Sequence, residues 1–587
     1  MLRKTLFYVI LILLAFALYF NPNFKTISAG IAILLFGIIM LEEGFRLFTK
    51  GPLQNILKKA TDKLYKSISA GALVTALIQS SSLVSVITIS FISAGLISLA
   101  EGIGLIFGAN IGTTATAWLI AGFGLKIKIS ALAMPMLIFG LIFSFQKRES
   151  LKGIGNVLAG LGFFFLGIYY MKDGFDVFKQ YIDLTEYAIT GVLGVIVYTG
   201  LGILITTVLQ SSSATLALIL TALSAGQIEY ENALALAIGA NVGTTITAVL
   251  GSLSSNVAGK RLAGAHLIFN VTTGVVALAF IFPLAKLVNG MSDTFGISQT
   301  DYTLKLALFH TIFNVIGVVI MLPFIKKLER FLIKVLKEKA EEKDIDEPKY
   351  LFESVLKFPD ATITALIKES KYLYKNAVFE IVAHGLNIHR GDIKSDLKIK
   401  KIIEKSTEDM QTDVEELYYS KFKTIYGEII KYATTVQNTF KLNKRQNDTV
   451  TEIKIANRKM VEIIKDVREL NKNVTIALNS ENKYLSNEYD IFRKKVTKVL
   501  RVIHLFRTED ESEKYAEKLA LLKQEAKDNI RHSNSSIDRL IRKDLITAEM
   551  ASSLFNDYTN VNDMIKKLIQ VAELLYGNKD SILEDIE

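Results

Sequence analysis

Long apolar runs occupy this chain up to about Leu322, and beyond that point apolar residues recur at helical spacing among charged ones. Runs of this length are typical of helices that cross a membrane. An apolar stripe opposite a charged face is typical of a soluble helical bundle. The pattern therefore predicts an all-α protein, a polytopic membrane domain followed by a soluble helical bundle. The stripe includes Met460, Ile463, Ile464, Val467, Leu470 and Val474, and the predicted spans are about 4–20, 28–48, 101–122, 127–145, 156–171, 231–252, 263–285 and 303–324.

Two polar motifs interrupt the apolar runs, and each of them occurs twice. The sequence Gln-Ser-Ser-Ser lies at 79–82 and again at 210–213, and Gly-Ala-Asn-x-Gly-Thr-Thr lies at 108–114 and again at 239–245. Subtracting 79 from 210, or 108 from 239, gives the same offset of 131. We infer a tandem duplication with repeats at about 28–145 and 156–285. The first span of each repeat matches at an offset of 130, through the pairs Gly37 and Gly167, Met40 and Tyr170, Gly44 and Gly174, Phe45 and Phe175, and Phe48 and Phe178.

Segments 66–98 and 187–228 each contain two apolar stretches separated by the Gln-Ser-Ser-Ser motif. Unwound backbone at bilayer depth is tolerated only where it is buried in protein or lines a water-filled cavity, so each segment is predicted to form a re-entrant helical hairpin. Basic residues concentrate in alternate loops, which places those loops and the N-terminus in the cytoplasm. The hairpins then enter from opposite sides, and this predicts two inverted repeats. The loops contain Lys50, Lys58, Lys59, Lys63, Lys66, Lys147, Arg148, Lys152, Lys260, Arg261, Lys326 and Lys327, with Lys126 and Lys128 as exceptions.

The Gln-Ser-Ser-Ser motif places hydroxyl groups and an amide where one helix ends and the next begins. Serine is a favoured N-cap, and the N-terminus of the second half-helix presents free N–H groups with a partial positive charge. Such a helix end can hold an oxyanion without arginine. The carbonyl and hydroxyl oxygens of the same turn suit a hard cation such as sodium. The predicted substrate and sodium ligands in this motif are Gln79, Ser80, Ser81, Ser82, Gln210, Ser211, Ser212 and Ser213.

The Gly-Ala-Asn-x-Gly-Thr-Thr motif adds amide and oxygen groups beside each hairpin. Its glycines permit a break in the helix, its asparagine can brace the loop or ligate an ion, and its threonines supply oxygens. One such motif alone would indicate close helix packing. Two different motifs repeated at a fixed offset instead favour a central binding site, which opposed repeats expose to each side in turn. The predicted ligands here are Asn110, Thr113, Thr114, Asn241, Thr244 and Thr245.

Two later spans each carry a histidine and an asparagine one helical turn apart, His266 with Asn270 and His310 with Asn314. The spacing places each pair on one helix face, where we expect interhelical hydrogen bonds bordering the site. Two histidines without cysteine or a nearby pair of carboxylates do not predict a metal site. Carboxylates at span ends are expected to be solvated and are not predicted ion ligands. They are Glu42, Glu43, Glu101, Asp173 and Asp176.

Composition sets the domain boundary and excludes several protein classes. Of the 587 residues, 50% are hydrophobic and 21% charged, which predicts a transmembrane domain at 1–333, a charged linker at 334–348 and a soluble domain at 349–587. The chain has no cysteine, so disulfides, thiol catalysis and thiolate metal sites are excluded. The net charge of +10 is spread over membrane flanks and helix faces, which does not indicate binding to nucleic acid. Nucleotide-binding and hydrolase motifs are absent, so we predict no enzyme activity and no cofactor, with any uphill transport driven by an ion gradient.

The paired Gln-Ser-Ser-Ser motifs, each followed by Gly-Ala-Asn-(Ile/Val)-Gly-Thr-Thr, resemble the sodium-dependent phosphate cotransporter family, its type II class and bacterial relatives, over about residues 28–325. The resemblance implies sodium-coupled import of inorganic phosphate, with both pairs of motifs around the substrate and the coupling sodium ion. The tail, beginning EPKYLFESVLKFPDATITALIKES, looks like the PhoU-like helical domain of many bacterial members. Such domains can bind metal through repeated acidic motifs, and this tail has no clear duplicated acidic set.

The resemblance also implies a place in the cell. It favours a multi-pass protein of a bacterial inner membrane, with the lipid bilayer as its surroundings and with the N-terminus and the C-terminal domain cytoplasmic. The PhoU-like tail implies regulation, and it leaves open a homo-oligomer or a regulatory partner that binds through this domain.

Three alternatives to phosphate import stay open on the sequence. The membrane domain could serve as a phosphate receptor with the helical tail as its output, which would make the protein a sensor or regulator. The substrate could be another oxyanion or a carboxylate, because a helix N-terminus recognises negative charge before shape. A channel fits less well, because inverted repeats enclose a central site and no long polar pore lining is present.

Overall fold

The computed structural model describes residues 12, 15–48, 63–126, 129–337, 346–407, 410, 413–508 and 512–577. Over these residues the secondary structure is helical, with no strand. The chain divides into two compact units, Met1–Glu338 and Lys339–Glu587, and this boundary falls inside the predicted linker. Seven helices of the described part are long and apolar enough to cross a membrane. The prediction of an all-α polytopic membrane protein is confirmed.

From residue 22 onward, the described part of the first unit contains fourteen α-helices, and many of them coincide with the apolar runs of the sequence. A π-helical turn, Ile120–Gly124, extends the fourth, and short 3-10 helices occupy Leu184–Tyr187 and Leu322–Phe324. In chain order the helices are α1 (Pro22–Phe48), α2 (Leu64–Ile78), α3 (Ser81–Ser93), α4 (Leu99–Leu119), α5 (Ile129–Ser144), α6 (Glu149–Lys179), α7 (Gly191–Leu209), α8 (Ser212–Ser224), α9 (Tyr230–Gly243), α10 (Thr245–Ser252), α11 (Val257–Ala279), α12 (Ile281–Ser292), α13 (Tyr302–Met321) and α14 (Ile325–Val335).

The seven helices of spanning length differ from the eight predicted spans in three places. The predicted span at 4–20 lies mostly outside the described residues. The predicted span at 127–145 is the 16-residue helix α5, which is too short to be among the seven. Helix α7, predicted as one arm of a re-entrant hairpin, has 19 residues and is long enough to cross by length and composition. The apolar run of α7 contains no charged residue before Gln210. The corresponding first arm of the other hairpin, α2, begins only after Lys63.

Helices α1 and α6, which are the first spans of the two repeats, pack against each other in antiparallel fashion. A Cβ atom on Gly30 would lie 2.6 Å from the backbone nitrogen of Met171, and a Cβ on Gly44 would lie 2.7 Å from that of Val157. The numbers rise along one helix while they fall along the other. Glycine at these positions therefore lets two equivalent helices of the repeats approach to backbone contact in opposite directions.

The second unit is a helical bundle with its own core. The apolar stripe of the sequence is buried there, with Met460, Ile463 and Val467 each fully buried. Two π-helical turns, Tyr374–Val378 and Tyr418–Lys423, and a 3-10 turn, Val355–Lys357, accompany its α-helices. These helices are α15 (Pro359–Leu373), α16 (Phe379–Gly385), α17 (Arg390–Ile393), α18 (Ile399–Lys405), α19 (Val414–Leu417), α20 (Thr424–Thr439), α21 (Lys444–Leu478), α22 (Lys483–Thr508), α23 (Ser512–Arg542) and α24 (Ala548–Tyr576).

Candidate functional site at the two hairpin tips

The tips of the two hairpins have nearly the same backbone conformation. Gln79, after α2, has φ 61° and ψ 24°, and Gln210, after α7, has φ 52° and ψ 25°. Both values are in the left-handed region, which ends a helix and reverses the chain. The next residues, Ser80 and Ser211, are extended and accept hydrogen bonds from the backbone nitrogens three residues on, each at 3.2 Å. Both serines are therefore the N-caps of the second half-helices.

The middle serine of each motif is the first residue of its half-helix. Ser81 begins α3 and is 8% exposed, and Ser212 begins α8 and is 4% exposed. Neither hydroxyl makes a hydrogen bond to another residue of the described part. They accompany the unpaired N–H groups and the positive end of a 13-residue helix, which together suit an anion.

The third serine of each motif contacts the other repeat. Ser213 Oγ lies 3.3 Å from Thr116 Oγ1, and Ser82 Oγ lies 3.2 Å from Thr247 Oγ1. The offset of 131 converts Ser82 to Ser213 and Thr116 to Thr247, so the same contact is made twice with the repeats exchanged. Exchange of this kind is what a two-fold relation between equivalent units produces.

The first tip is tied to the second repeat by a further bond. Ser213 Oγ donates to the carbonyl oxygen of Gln79 at 3.3 Å, and Thr116 Oγ1 donates to the Gln79 side-chain oxygen at 2.8 Å. The structure thus brings Gln79 and Ser213 of the predicted ligands into contact, whereas Ser82 contacts Thr247. Gln210 is exposed, and its side chain bonds to no other described residue.

The glycines of the Asn motif serve close packing, which corrects one expectation. The motif was expected to break its helix, but in the first copy α4 is continuous, and in the second copy the single residue Thr244 separates α9 from α10 while its backbone stays helical, at φ −59° and ψ −25°. A Cβ on Gly108 would lie 1.9 Å from the carbonyl oxygen of Ile68, and one on Gly239 would lie 2.1 Å from that of Thr199. Both copies need glycine because the first arm of the hairpin lies directly against the motif helix.

The threonines of the Asn motif bond to their own helices. The hydroxyls of Thr113 and Thr244 donate to carbonyl oxygens four residues before, at 2.9 and 3.0 Å. Those of Thr114 and Thr245 donate to carbonyls three residues before, at 2.7 and 2.8 Å. Each hydroxyl has then used its hydrogen, and its oxygen keeps lone pairs that could face a cation.

The asparagines of the two copies have different partners. Asn110 Nδ2 donates to the Ile106 carbonyl of its own helix at 2.9 Å. Asn241 Nδ2 donates to Asn314 Oδ1 at 3.0 Å, and Asn270 Nδ2 donates to the Asn241 carbonyl, also at 3.0 Å. The expected interhelical hydrogen bonds of Asn270 and Asn314 are confirmed, and both of them brace the second copy of the motif.

The neighbouring histidines do not assemble a metal site. His266 and His310 are 2% and 1% exposed, and the Nδ1 atom of each has no hydrogen-bonding partner in the described part of the chain. Among the same residues no three of His, Cys, Asp and Glu come together in a group that could hold a metal ion.

Three residues near the tips were missed by the sequence analysis. Glu42 of α1, expected to be solvated, is half-buried and its side chain hydrogen-bonds to Ser80. Glu42 lies one helical turn after the buried Ile38, and this spacing could have predicted that its side chain points into the protein. Thr116 and Thr247, which make the exchanged contacts, repeat at the same offset as the motifs. That repetition was the signal for them.

Comparison with known proteins gives a family for the first unit. The model of the Na+/Pi-cotransporter family matches residues 33–173 and 188–333. The "Uncharacterized protein YqeW" of Bacillus subtilis (strain 168) is 30% identical over 315 residues, which cover 52% of this chain and 95% of that protein. The "Putative inorganic phosphate export protein YjbB" of Escherichia coli (strain K12) is 27% identical over 379 residues, 64% of this chain and 67% of that protein. No solved structure matches.

Proposed function

This chain belongs to the Na+/Pi-cotransporter family, and we propose that it imports inorganic phosphate across a bacterial inner membrane by symport with sodium. The family is one of transporters, so the protein is a membrane transporter and not an enzyme. The observation that carries the proposal is the meeting of the two hairpin tips, where Ser213 and Ser82 each contact the opposite repeat. Two helix N-termini with unpaired N–H groups thereby belong to one central region.

Phosphate would be held at these helix N-termini. The N–H groups of the first turns of α3 and α8 and the hydroxyls of Ser81 and Ser212 can donate to its oxygens. Two partial positive charges from opposite repeats offset its charge without a basic side chain. Because the hydroxyls are nearly buried, the anion would exchange most of its water for these donors.

Sodium would take oxygen ligands beside the anion. The hydroxyl oxygens of Thr113, Thr114, Thr244 and Thr245 already donate to their own helices, so their lone pairs remain for a cation. The carbonyls at the ends of α2 and α7 are further candidates, since they lie at the negative ends of helix dipoles. A cation and an anion bound side by side lower each other's desolvation cost, which couples their binding.

Alternating access follows if the repeats are inverted, and two observations support inversion. Helices α1 and α6, equivalent by sequence, run antiparallel, and the serine to threonine contacts occur twice with the repeats exchanged. We propose that the repeats rock about the shared site to open it to either side. Lysine and arginine in alternate loops support the proposal that the N-terminus and the second unit are cytoplasmic.

Export is a second candidate for the direction of transport. It is favoured by the name of the relative YjbB, which describes that protein as an inorganic phosphate export protein. A symporter runs in the direction set by its gradients, so import is expected where sodium is high outside. The direction is therefore tested by imposing the sodium gradient each way.

Phosphate uptake into proteoliposomes with an imposed sodium gradient tests the proposal. We expect gradient-dependent accumulation of labelled phosphate, reduced about tenfold in Ser81→Ala and in Ser212→Ala, with membrane insertion unchanged. Ser292→Ala is the control, because its hydroxyl is also buried and donates within α12 to the Val288 carbonyl at 2.7 Å. Normal uptake by both tip variants would make the motifs packing elements. Binding without gradient-driven accumulation would favour the sensor.

A further inference from the structure

A group of basic side chains in the second unit has no part in transport as proposed. It comprises Lys375, Arg390, Lys394 and Arg507, with His504 between them, and we call it the basic cluster. Lys375 and Lys394 are exposed, whereas Arg390, Arg507 and His504 are half-buried. The residues come from the π-helical turn after α15, from α17 and the residue that follows it, and from the end of α22. Several elements thus converge on one patch of positive charge.

Arg390 is held in place by backbone and side-chain acceptors. Its Nη2 donates to the Lys375 carbonyl at 2.7 Å and to Asn376 Oδ1 at 3.1 Å, and its Nη1 lies 3.4 Å from Glu380 Oε2. Its Nε is buried and has no hydrogen-bonding partner among the residues described. The guanidinium is therefore fixed in orientation with one donor unused.

Arg507 is also fixed by its neighbours. Its guanidinium lies 5.0 Å from the centre of the Phe379 ring, and its Nη2 is 3.2 Å from Nδ1 of His504. The guanidinium also interacts with the Tyr576 hydroxyl, and its Nη1 is buried without a partner within the described part of the chain. Because Phe379 directly precedes Glu380, the two arginines are positioned against neighbouring residues of α16. A second unused guanidinium donor thus belongs to the same patch.

The cluster has more positive charge than its surroundings neutralise. Glu380, which faces it, is paired with Lys421 at 2.5 Å as well as with Arg390. Partial desolvation lowers the pKa of the Lys394 ammonium, and the charges of Arg390, Arg507 and Lys375 lower it further. Burial first, and then the same cations together with Lys394, also lower the pKa of His504, whose imidazole is accordingly neutral near pH 7. Mutual repulsion among cations is a cost that a bound anion removes.

We propose that the basic cluster is a binding site for a phosphate-bearing anion. Guanidinium groups match the oxygens of a phosphate group in geometry, and lysines add charge from flexible stems. The two unused arginine donors would gain acceptors, and the exposed lysines would close over the anion. The phosphate group can come from a free polyanion or from the headgroup of an acidic lipid, and these two sources share one recognition chemistry.

Binding of two soluble probes to the purified full-length protein in neutral detergent tests the site. Pyrophosphate stands for a free polyanion, and glycerophosphoglycerol stands for a lipid headgroup. We expect saturable binding of at least one probe, weakened about tenfold or more by the double variant Lys375→Glu and Lys394→Glu. Both side chains are exposed, so the fold should be unaffected. The probe that responds identifies the source of the phosphate group.

The matched control is Lys444→Glu with Lys527→Glu, which makes the same change of net charge at exposed lysines on α21 and α23. It should bind both probes as the wild type does, and the thermal unfolding midpoint should be the same in all three proteins. Any binding of the probes at the hairpin tips is common to the wild type and both double variants. A difference in probe binding among the three proteins is therefore due to the basic cluster. Equal binding by the two double variants, or no saturable binding of either probe, would overturn the proposal.

Discussion

The two hairpin tips share one backbone conformation and differ in the side chains that contact them. In the first tip, side chains from outside the hairpin take part, since Glu42 bonds to Ser80 and Thr116 donates to the Gln79 side chain. In the second tip, Gln210 is exposed and bonds to no other described residue. The duplication thus kept the backbone that presents N–H groups, while the surroundings of the two copies diverged.

The Asn motifs show the opposite difference. In the first copy α4 is continuous and Asn110 bonds within its own helix. In the second copy a single turn residue, Thr244, follows α9 with helical dihedral angles, and Asn241 is braced by Asn270 and Asn314. Each repeat therefore has one element with side-chain partners that its counterpart in the other repeat lacks. An asymmetric site of this kind gives each repeat different contacts to lose when the transporter changes state.

The largest effect on stability is expected at two glycines that occupy equivalent, closely packed positions in the two repeats. A Cβ on Gly71 would lie 2.2 Å from the Leu105 carbonyl oxygen, and one on Gly202 would lie 2.3 Å from that of Leu236. Alanine at either position must push two helices apart, so we expect a loss of about 3 kcal/mol and little folded protein. Monodisperse yield and the thermal unfolding midpoint in detergent measure it.

A neighbouring glycine provides the control for this prediction. A Cβ on Gly200, two residues before Gly202 in α7, would have no atom of a neighbouring helix within 4 Å, so Gly200→Ala should fold normally. If Gly71→Ala folds well and Gly202→Ala does not, the two hairpins do not depend equally on close packing against their neighbouring helices. Equal yields from Gly200→Ala and Gly202→Ala would show that close approach does not hold the hairpin.

A smaller effect is expected from the residue that only the first tip possesses. Glu42→Ala removes the acceptor of the Ser80 hydroxyl, which leaves that N-cap free to rotate, and we expect phosphate transport to fall about fivefold. Glu42→Gln keeps an acceptor and should retain most of the transport. Initial rates in proteoliposomes measure both.

Glu43, the exposed neighbour, supplies a matched control, since Glu43→Ala removes a carboxylate from the same turn. Its transport should equal that of the wild type. A similar loss of phosphate transport in Glu42→Gln and Glu42→Ala would mean that the charge of Glu42 matters and not its hydrogen bond. The two tips would then differ in charge as well as in hydrogen bonding.

Much of this arrangement follows from local chemistry and could be predicted. Serine after a terminated helix predicts an N-cap, and Ser80 and Ser211 are N-caps. The apolar stripe at Met460 to Val474 predicts a bundle core and is buried. The offset of 131 indicates equivalent residues, and the exchanged contacts of Ser82 and Ser213 follow it. Periodicity and capping depend on neighbours in sequence, which a single chain displays.

What was missed depends on which helix lies opposite. The glycines of the Asn motif were expected to break a helix, because glycine is permissive, but Gly108 is needed for the approach of Ile68, forty residues earlier. Glu42 was placed in solvent because it is near a span end, whereas its direction is set by the packing of α1. Tertiary contacts of this kind are not predicted by neighbouring residues in the sequence. Only the repetition of a residue in both repeats, or its position on a helix face, indicates them.

The smallest predicted effect concerns the glutamine that ends each first arm. Both glutamines have a positive φ, which costs a side chain free energy that glycine does not lose, so Gln210→Gly should stabilise the protein by about 0.5 kcal/mol. Gln79→Gly gains the same relief but loses the hydrogen bond from Thr116 and the bond from its own Nε2 to the Ala76 carbonyl, together about 1 kcal/mol, and should be destabilised by about 0.5 kcal/mol. Thermal unfolding midpoints of the two full-length variants measure the difference. Equal midpoints would show that the contact at the first tip adds nothing to stability, and the two tips would then be equivalent in energy as well as in backbone.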